Sequence, residues 1–323
     1  MPQTSTRNIG RHAAPWTLQM SEPFQTYLDV PVAGGDLTVA CAGPPPAPGR
    51  TVVLCLHGMT SSHMAYRTVA RQLCSDGGNF CLLAPDLRGR GRSAHLPEPY
   101  GIAVHVADMI AVLDHVGADR AIVVGHSMGC NIGARFAADH PERTSALVLL
   151  DGGLPLLSDA AVAAEEDQPH GLFDRFNSTF ASAEEYLAFW RGHPALVGAW
   201  DEDIDAFVRS DFVADENGVR CVVQQKAALS DVQDVMLDRL TWSSVTRVLA
   251  PVRLMRAERG LFDDDPVIPL PELHEFLLEH PHISVDMVPD VNHFTLLMGG
   301  GHGPRRVTAT LNELAAGNLA ASR

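Results

Sequence analysis

Short apolar runs recur along the chain, and stretches with helical spacing separate them. The clearest runs are residues 51–56, 121–124, 145–150 and 251–257, in which valine and leucine are frequent. Runs of this length are typical of parallel strands that are buried on both faces of a sheet. Residues 102–116, between two such runs, carry apolar side chains on one helical face. Strands that alternate with helices predict the α/β class, with a mostly parallel, doubly wound sheet.

The same pattern predicts how the sheet begins and how the chain closes. Residues 24–30 and 37–42 have strand character, and the Ala-Gly-Gly-Asp sequence at 33–36 has the chemistry of a hairpin turn. Residues 283–288 form the last predicted strand, and residues 305–320 form a closing helix. The hairpin makes the predicted sheet mostly, rather than entirely, parallel.

The alternation of strands and helices stops between residues 154 and 243. This stretch is rich in acidic and aromatic residues, and its helical patterns lie at 182–191, 203–210 and 224–240. We therefore predict a mostly helical cap that is inserted after the strand at 145–150. The predicted domains are an α/β core of residues 1–153 and 244–323 and a helical cap of residues 154–243.

Composition and charge limit the classes of partner. The chain has 323 residues, of which 46% are hydrophobic and 20% charged, so it can bury a large core. A net charge of −15 disfavours nucleic acid and anionic membranes as partners. No apolar run reaches the length of a membrane span, and residues 1–20 lack the core of a signal peptide, so we expect a cytoplasmic enzyme. The oligomeric state stays open.

The cysteines and histidines give no sign of a metal site. The six cysteines form no C-x-x-C pair, and Cys55 and Cys81 lie inside predicted strands. Buried free thiols in a reducing compartment explain this placement. The 15 histidines lack the spacing of metal ligands. We therefore expect neither a metal nor another cofactor.

One stretch carries a chemical motif. Residues 125–129 have the sequence Gly-His-Ser-Met-Gly, which matches G-x-S-x-G. The apolar strand before it and the helix predicted over 130–140 supply the strand–turn–helix context of a nucleophile elbow. The glycines at both ends of the motif leave room for the close approach of strand and helix. The pattern predicts that Ser127 presents its hydroxyl at the top of the sheet.

Polar residues follow the ends of several other predicted strands. These residues are His57, Asp86, Asp151 and His293. Ligands of doubly wound sheets bind beyond the carboxyl ends of the strands. We therefore expect one site that gathers Ser127 with some of these side chains.

These motifs resemble those of the α/β-hydrolase superfamily. The resemblance rests on the His-Gly pair that begins at His57, the Pro-Asp-Leu-Arg-Gly-Arg-Gly-Arg-Ser segment at 85–93, the elbow at Ser127 and the late His293. It covers roughly residues 24–320 and places the cap where the superfamily usually carries one. It implies the α/β-hydrolase fold strongly and the substrate weakly, because this fold hosts many chemistries.

The resemblance also implies roles for individual residues. Ser127 is the expected nucleophile, and His293 is the expected base because it follows the last strand. The oxyanion hole is expected to use the backbone N–H groups of Met59 and Met128.

The acid that orients the histidine is open between two positions. The superfamily usually places it after the strand at 251–257, commonly as Gly-Glu-x-Asp, but here Gly260 stands where that aspartate is expected. Certain lactonases and dehalogenases of this fold carry the acid after the strand that follows the elbow helix, where this chain has Asp151. A carboxylate directly after a buried strand is costly unless it has a partner. We therefore favour Asp151. The alternatives are Glu258, Asp263, Asp264 and Asp265.

The expected function is that of a serine hydrolase of the esterase or lactonase type. It would cleave a carboxylic ester or lactone of a small hydrophobic substrate through an acyl-enzyme. Thioesterase, amidase, C–C bond hydrolase and acyltransferase activities on the same triad stay open, as does a ligand receptor with slow residual hydrolysis. Epoxide hydrolysis is disfavoured, because such relatives carry a carboxylate at the elbow where this chain has Ser127.

Overall fold

A central sheet of eight strands organises the computed structural model, which describes residues 22–74, 78–155, 174–176 and 178–321. In chain order the strands are β1 (Thr26–Val32), β2 (Gly35–Ala42), β3 (Thr51–Leu56), β4 (Phe80–Pro85), β5 (Ala121–His126), β6 (Thr144–Leu150), β7 (Phe212–Asp215), β8 (Gly218–Cys221), β9 (Val252–Arg259) and β10 (Ile283–Asn292). The sheet has the order β1-β2-β4-β3-β5-β6-β9-β10, and β7 and β8 form a separate hairpin.

The sheet is parallel except at one edge. β1 pairs with β2, and β2 with β4, in antiparallel fashion, whereas the remaining neighbours pair in parallel. The antiparallel edge begins with the predicted hairpin, whose turn contains Gly34 at a φ of 90°, a conformation that favours glycine. The predicted α/β class with a mostly parallel, doubly wound sheet is confirmed.

Helices cover both faces of the sheet. In chain order they are α1 (Arg67–Cys74), α2 (Ile102–His115), α3 (Met128–Asp139), α4 (Ala183–Arg191), α5 (Glu202–Ser210), α6 (Gln225–Leu237), α7 (Arg239–Trp242), α8 (Leu270–Glu279) and α9 (His302–Ala321).

Alternate residues of β3 pack into two separate cores, one on each face of the sheet. Val53 and Cys55 pack in the core that includes α1 and α9, while Leu54 and Leu56 pack in the core that includes α2 and α3. Burial on both faces explains why this strand is apolar at nearly every position.

The segment between β6 and β9 differs in detail from the predicted helical cap. It carries α4 to α7 but also the hairpin of β7 and β8, which we did not predict although the Asn-Gly pair at 217–218 is a common turn signal. The helix predicted over 224–240 is two helices. The break occurs because the Asp238 carboxylate accepts hydrogen bonds from the amides of Leu240 and Thr241 and so begins α7.

Parts of the predicted domains, namely residues 1–21, 75–77, 156–173, 177 and 322–323, lie outside the described residues, so the division into core and cap stays a prediction. We call the segment between β6 and β9, residues 151–251, the middle segment. In its described part, α5 contacts α1, α6 contacts α2 and α7 contacts α3. The segment therefore reaches helices on both faces of the sheet. Among the helices that the structure describes, none combines the length and the apolar character needed to cross a bilayer.

Candidate active site

Three predicted site residues directly follow parallel strands, at the carboxyl ends of the sheet's strands. Ser127 follows β5, Asp151 follows β6 and His293 follows β10. The backbone N–H of Ser127 donates to the carbonyl of Leu150 at 3.1 Å, which joins the first two strand ends. Because the carboxyl ends of parallel strands meet at the same edge, the topology gathers residues that lie far apart in the chain.

Ser127 occupies the tight turn of the predicted elbow. Its backbone has φ 55° and ψ −124°, a conformation that residues with a side chain rarely adopt. The two glycines of the motif permit this turn. A Cβ on Gly125 would overlap the carbonyl of Gly129, and a Cβ on Gly129 would overlap the carbonyl of Leu56. The turn therefore places Ser127 directly before the first residue of α3.

Asp151 and His293 form a buried hydrogen-bonded pair. The distance between Asp151 Oδ2 and His293 Nδ1 is 2.8 Å, and the two side chains are 0% and 4% exposed. Since a carboxylate accepts this bond, Nδ1 carries the proton and Nε2 is the unprotonated nitrogen of the neutral ring. Asp151 Oδ1 accepts a bond from the backbone N–H of Ala257 at 3.1 Å, which ties the carboxylate to β9. The buried acid therefore has a partner for each oxygen.

The alternative acids lie in and after the end of β9 and are exposed. They are Glu258, Asp263, Asp264 and Asp265. Asp263 illustrates their surroundings, because its Oδ1 accepts bonds from Arg259 Nε at 2.6 Å and from Asn292 Nδ2 at 2.8 Å. Of the five candidate acids, Asp151 is the one that contacts His293 Nδ1.

Asn292 shapes the loop that carries His293, and we did not predict this role. Its Oδ1 accepts bonds from the amides of Phe294 at 3.1 Å and Thr295 at 3.0 Å, and its Nδ2 donates to the carbonyl of Ala195 at 2.8 Å. Asparagine side chains commonly bond backbone amides two residues on, so the Asn-His pair was an available signal. The side chain fixes the turn in which the histidine stands.

The predicted oxyanion donors lie in segments next to Ser127. A Cβ built on Gly58 would lie 3.6 Å from Ser127 Oγ, so the loop that contains Met59 runs beside the hydroxyl. Met128 is the first residue of α3, where backbone amides have no partner within the helix. The positive end of the helix dipole also faces this point. The role of the two amides as donors stays a prediction.

Two buried histidines beside the site are held neutral. Burial lowers the pKa of His57 to about 4 and the pKa of His126 to about 3. The Nε2 atom of His57 accepts a bond from the amide of Leu87 at 3.0 Å, so its Nδ1 donates to the carbonyl of Gly58 at 2.8 Å. His126 Nε2 donates to the carbonyl of His293 at 2.9 Å. Both rings therefore fix the backbone around the site.

A cavity opens between the elbow and the middle segment. Ser127, His126 and His293 line it together with residues 58–61. Its apolar walls are Trp190, Phe207, Leu261, Phe294 and Met298. The first two of these come from α4 and α5, so the middle segment supplies part of the wall. In the described part of the chain, no group of three or more side chains is placed to hold a metal ion.

Comparisons with known proteins agree with the hydrolase class that the fold and the site define. A family model described as the alpha/beta hydrolase fold matches residues 51–189. A relative from Caulobacter sp. (strain K31), named "Putative carbamate hydrolase RutD", is 30% identical over 206 residues, which cover 58% of this chain and 75% of the relative. The chain belongs to the α/β-hydrolase superfamily.

Other relatives are matched over shorter spans. A "Serine hydrolase-like protein" of Danio rerio is 36% identical over 130 residues, 39% of this chain and 38% of that protein. Lipase LipV of Mycobacterium tuberculosis is 37% identical over 53% of this chain and 63% of its own length. Epoxide hydrolase B of the same species is 36% identical over 34% of this chain and 31% of its own length. The crystal structure of E-2-(acetamidomethylene)succinate hydrolase shares the fold, with a TM-score of 0.72 at 20% identity over 90% of this chain and 98% of that chain.

Proposed function

We propose that this chain is a serine hydrolase that cleaves a carboxylic ester or lactone of a hydrophobic small molecule through an acyl-enzyme. The observation that carries the proposal is the 2.8 Å contact between Asp151 and His293 at a cavity that Ser127 also lines. A serine hydroxyl is a weak nucleophile until an oriented base takes its proton. The name of the zebrafish relative, a serine hydrolase-like protein, agrees with this chemistry.

In the proposed reaction, His293 Nε2 takes the hydroxyl proton of Ser127 while Oγ attacks the carbonyl carbon. Asp151 stabilises the imidazolium, and the amides of Met59 and Met128 donate to the oxygen that becomes negative. The imidazolium then gives its proton to the leaving alkoxide, which departs as an alcohol. Water then attacks the acyl-enzyme while His293 takes one of its protons, and the imidazolium returns this proton to Ser127 Oγ as the carboxylic acid leaves. Loss of one oxyanion donor typically costs about 3 to 4 kcal/mol.

The walls of the cavity and the names of the relatives bear on the substrate. The aromatic and aliphatic lining supports a hydrophobic acyl or alcohol group. The lipase among the relatives supports an ester, and the carbamate hydrolase extends the list to carbamates, which undergo the same acyl transfer. The six free cysteines support a reducing, cytoplasmic location, and the charge of −15 supports a small molecule rather than nucleic acid or membrane as partner.

The experiment combines labelling with turnover. A fluorophosphonate probe should label the wild type at Ser127, and p-nitrophenyl esters should be turned over many times. Ser127→Ala should lose the label and about 10⁴-fold or more of kcat, because triad members act as a unit. Ser284→Ala is the control, since Ser284 is exposed on β10 and does not line the cavity, and it should keep both activities. Turnover by Ser127→Ala at the wild-type rate would contradict the proposal.

The same turnover assay compares the remaining substrate classes. Lactones, thioesters, amides, carbamates and an epoxide should be compared with the esters at equal concentration. We expect esters or lactones to give the highest kcat/KM. A chain that is labelled at Ser127 but stops after about one turnover on every substrate would instead be a ligand receptor.

A further inference from the structure

Buried side chains hold three successive carbonyl groups in the loop that follows β3. We call residues 58–60 the oxyanion loop. In chain order, its carbonyls accept bonds from His57 Nδ1 at 2.8 Å, from Arg90 Nε at 2.9 Å and from Arg175 Nη2 at 2.6 Å. These three residues are 0%, 0% and 2% exposed, so water cannot replace them as partners of the loop.

The two arginines are held in turn by carboxylates of the segment between β6 and β9. Arg90 Nη1 lies 2.5 Å from Oδ2 of Asp231, which is on α6. Arg175 Nη1 lies 2.7 Å from Oδ2 of Asp211, which directly precedes β7. Both carboxylates are buried, and the hydroxyl of Tyr186 also donates to Asp211 at 2.5 Å. Each arginine therefore links a carboxylate of the middle segment to one carbonyl of the oxyanion loop.

These links fix the backbone on both sides of the Met59 amide. In a trans peptide, the carbonyl of one residue and the N–H of the next point in opposite directions. By holding the carbonyl of Gly58, His57 sets the direction of the Met59 N–H. Arg90 holds the carbonyl of Met59 itself, and Arg175 holds the carbonyl after it. The amide cannot rotate unless a buried hydrogen bond breaks.

We infer that Asp211 and Asp231 are positioning residues for the oxyanion hole, and that they act through Arg175 and Arg90. This inference rests on the proposed function, because it takes the Met59 amide as a donor to the substrate oxygen. Neither carboxylate lines the cavity, so neither touches the substrate. Donors to a developing charge are effective only when they are placed in advance. The middle segment therefore controls the rate of the chemical step as well as the wall that the substrate meets.

A third buried ion pair provides a matched control. Asp203 on α5 pairs with Arg67 and also accepts bonds from Thr68 Oγ1 at 2.7 Å and Arg71 Nη1 at 2.9 Å. Like Asp211 and Asp231, this carboxylate is buried and joins the middle segment to the core. Its partners lie on α1 rather than against the oxyanion loop. Replacing Asp203 therefore shows how the loss of a buried ion pair affects folding stability when the oxyanion loop keeps its supports.

The test compares Asp211→Asn, Asp231→Asn and Asp203→Asn in the full chain. For each variant, kcat and KM are measured on one p-nitrophenyl ester, with the Ki of a trifluoromethyl ketone whose hemiketal oxygen occupies the same hole. We expect kcat to fall about tenfold to hundredfold for Asp211→Asn and Asp231→Asn, below the 10²- to 10³-fold cost of losing a donor outright. KM should stay within about twofold, and the Ki should rise in parallel with the loss of kcat. Asp203→Asn should lower Tm but keep kcat.

Hydrogen exchange gives a readout that does not depend on turnover. Peptides that contain residues 58–62 should exchange faster in Asp211→Asn and Asp231→Asn than in Asp203→Asn, when each variant is measured at the same number of degrees below its own Tm. If the wild type neither turns over esters nor takes up fluorophosphonate, the proposed function fails, and exchange alone then decides whether the two carboxylates hold the loop.

Two outcomes would overturn the inference. One is an equal loss of kcat in all three variants, and the other is unchanged exchange of residues 58–62. Should an asparagine variant not fold, Arg175→Lys tests the same link, because lysine keeps the charge opposite Asp211 but lacks the planar fork that serves two partners. A wild-type kcat and wild-type exchange in Arg175→Lys would equally exclude the role.

Discussion

The two sides of the site are held in different ways. On the sheet side, Ser127, Asp151 and His293 are each the first residue after a parallel strand, and the backbone of the sheet sets their positions. On the other side, side chains of the middle segment reach the site through buried ion pairs and ring contacts, such as Arg175 at 4.8 Å over the ring of Trp190. The proposed reacting groups therefore lie at the ends of parallel strands, where the order of the sheet largely sets their positions. The wall and the supports of the oxyanion loop depend instead on contacts between distant residues.

The sheet side is tested most sharply at the acid. Asp151→Asn is expected to lower kcat by about 10⁴-fold, because the amide lacks the charge that stabilises the imidazolium and can hold the ring in the wrong tautomer. Asp263→Asn should cost much less, since that exposed carboxylate contacts Arg259 and Asn292 instead of the histidine. The measurement is kcat on one ester, with circular dichroism to verify folding.

The opposite result would move the acid to the loop after β9. If Asp151→Asn kept kcat within about tenfold of the wild type, the buried pair with His293 would be structural only. The amide variants of Glu258, Asp264 and Asp265 would then be compared with Asp263→Asn, and the true acid would be the one whose variant is inactive.

Most of the fold and the sheet side of the site could be predicted from the sequence, because both rest on short-range order. Apolar runs identified the strands, and the G-x-S-x-G spacing identified the turn at Ser127. Asp151 could be favoured over Asp263 because it directly follows a buried strand, where an unpaired carboxylate is costly. The parallel order of the strands then brings it to the loop of His293.

The other side of the site could not be predicted, for a physical reason. Arg175 and Asp211 are 36 residues apart and meet only after the middle segment has folded, so no local periodicity links them. Arg90 and Asp231 lie still farther apart in the chain. The hairpin of β7 and β8, between Asp211 and Asp231, could have been predicted, because its Asn-Gly turn at 217–218 is a local signal in the sequence.

A methyl group at Gly58 tests how closely the two sides approach each other at Ser127, the proposed nucleophile. Its Cβ would lie 3.2 Å from Ser127 Cβ and 3.6 Å from Ser127 Oγ, so the loop or the serine must shift. We expect Gly58→Ala to lower kcat/KM by about tenfold to hundredfold in a folded protein, because small displacements of reacting groups have effects of this size.

The control for this crowding is Gly192→Ala, at the end of α4, where the nearest atoms to a new Cβ are 3.5 Å away. This variant should keep the wild-type kcat/KM and Tm. Wild-type kcat/KM in Gly58→Ala would show that the oxyanion loop shifts without cost, which would contradict the inference that buried side chains hold this loop in place.

The wall itself is expected to act on selectivity. Phe207 is 3% exposed and lines the cavity, so Phe207→Ala should change the ratio of kcat/KM between long and short p-nitrophenyl acyl esters by about tenfold. Phe189→Ala is the control from the same segment, because Phe189 is 40% exposed and should leave the ratio unchanged. Equal ratios in both variants would place the acyl chain elsewhere.

The smallest expected effect concerns His126, which is on the sheet side but does not exchange protons in the proposed reaction. Burial and the neighbouring His293 lower its pKa to about 3, so the ring stays neutral across the range in which the enzyme would be assayed. His126→Gln should therefore leave the midpoint of the acidic limb of kcat unchanged. A shifted midpoint would mean that His126 takes part in the titration that controls activity.

The same ring is expected to affect stability at acid pH. Below its ordinary pKa of 6.5, the unfolded chain binds a proton at His126, whereas the folded protein does not until about pH 3. The free energy of unfolding therefore falls as the pH drops through this window, by up to about 1.4 kcal/mol per pH unit for one proton. Glutamine does not titrate, so in His126→Gln the free energy of unfolding should depend less steeply on pH, by the contribution of one proton. The contribution of His57, whose pKa is about 4, should remain. Denaturant titrations between pH 4.5 and 6.5 measure the slope. An unchanged slope would mean that the ring is not held neutral beside Ser127.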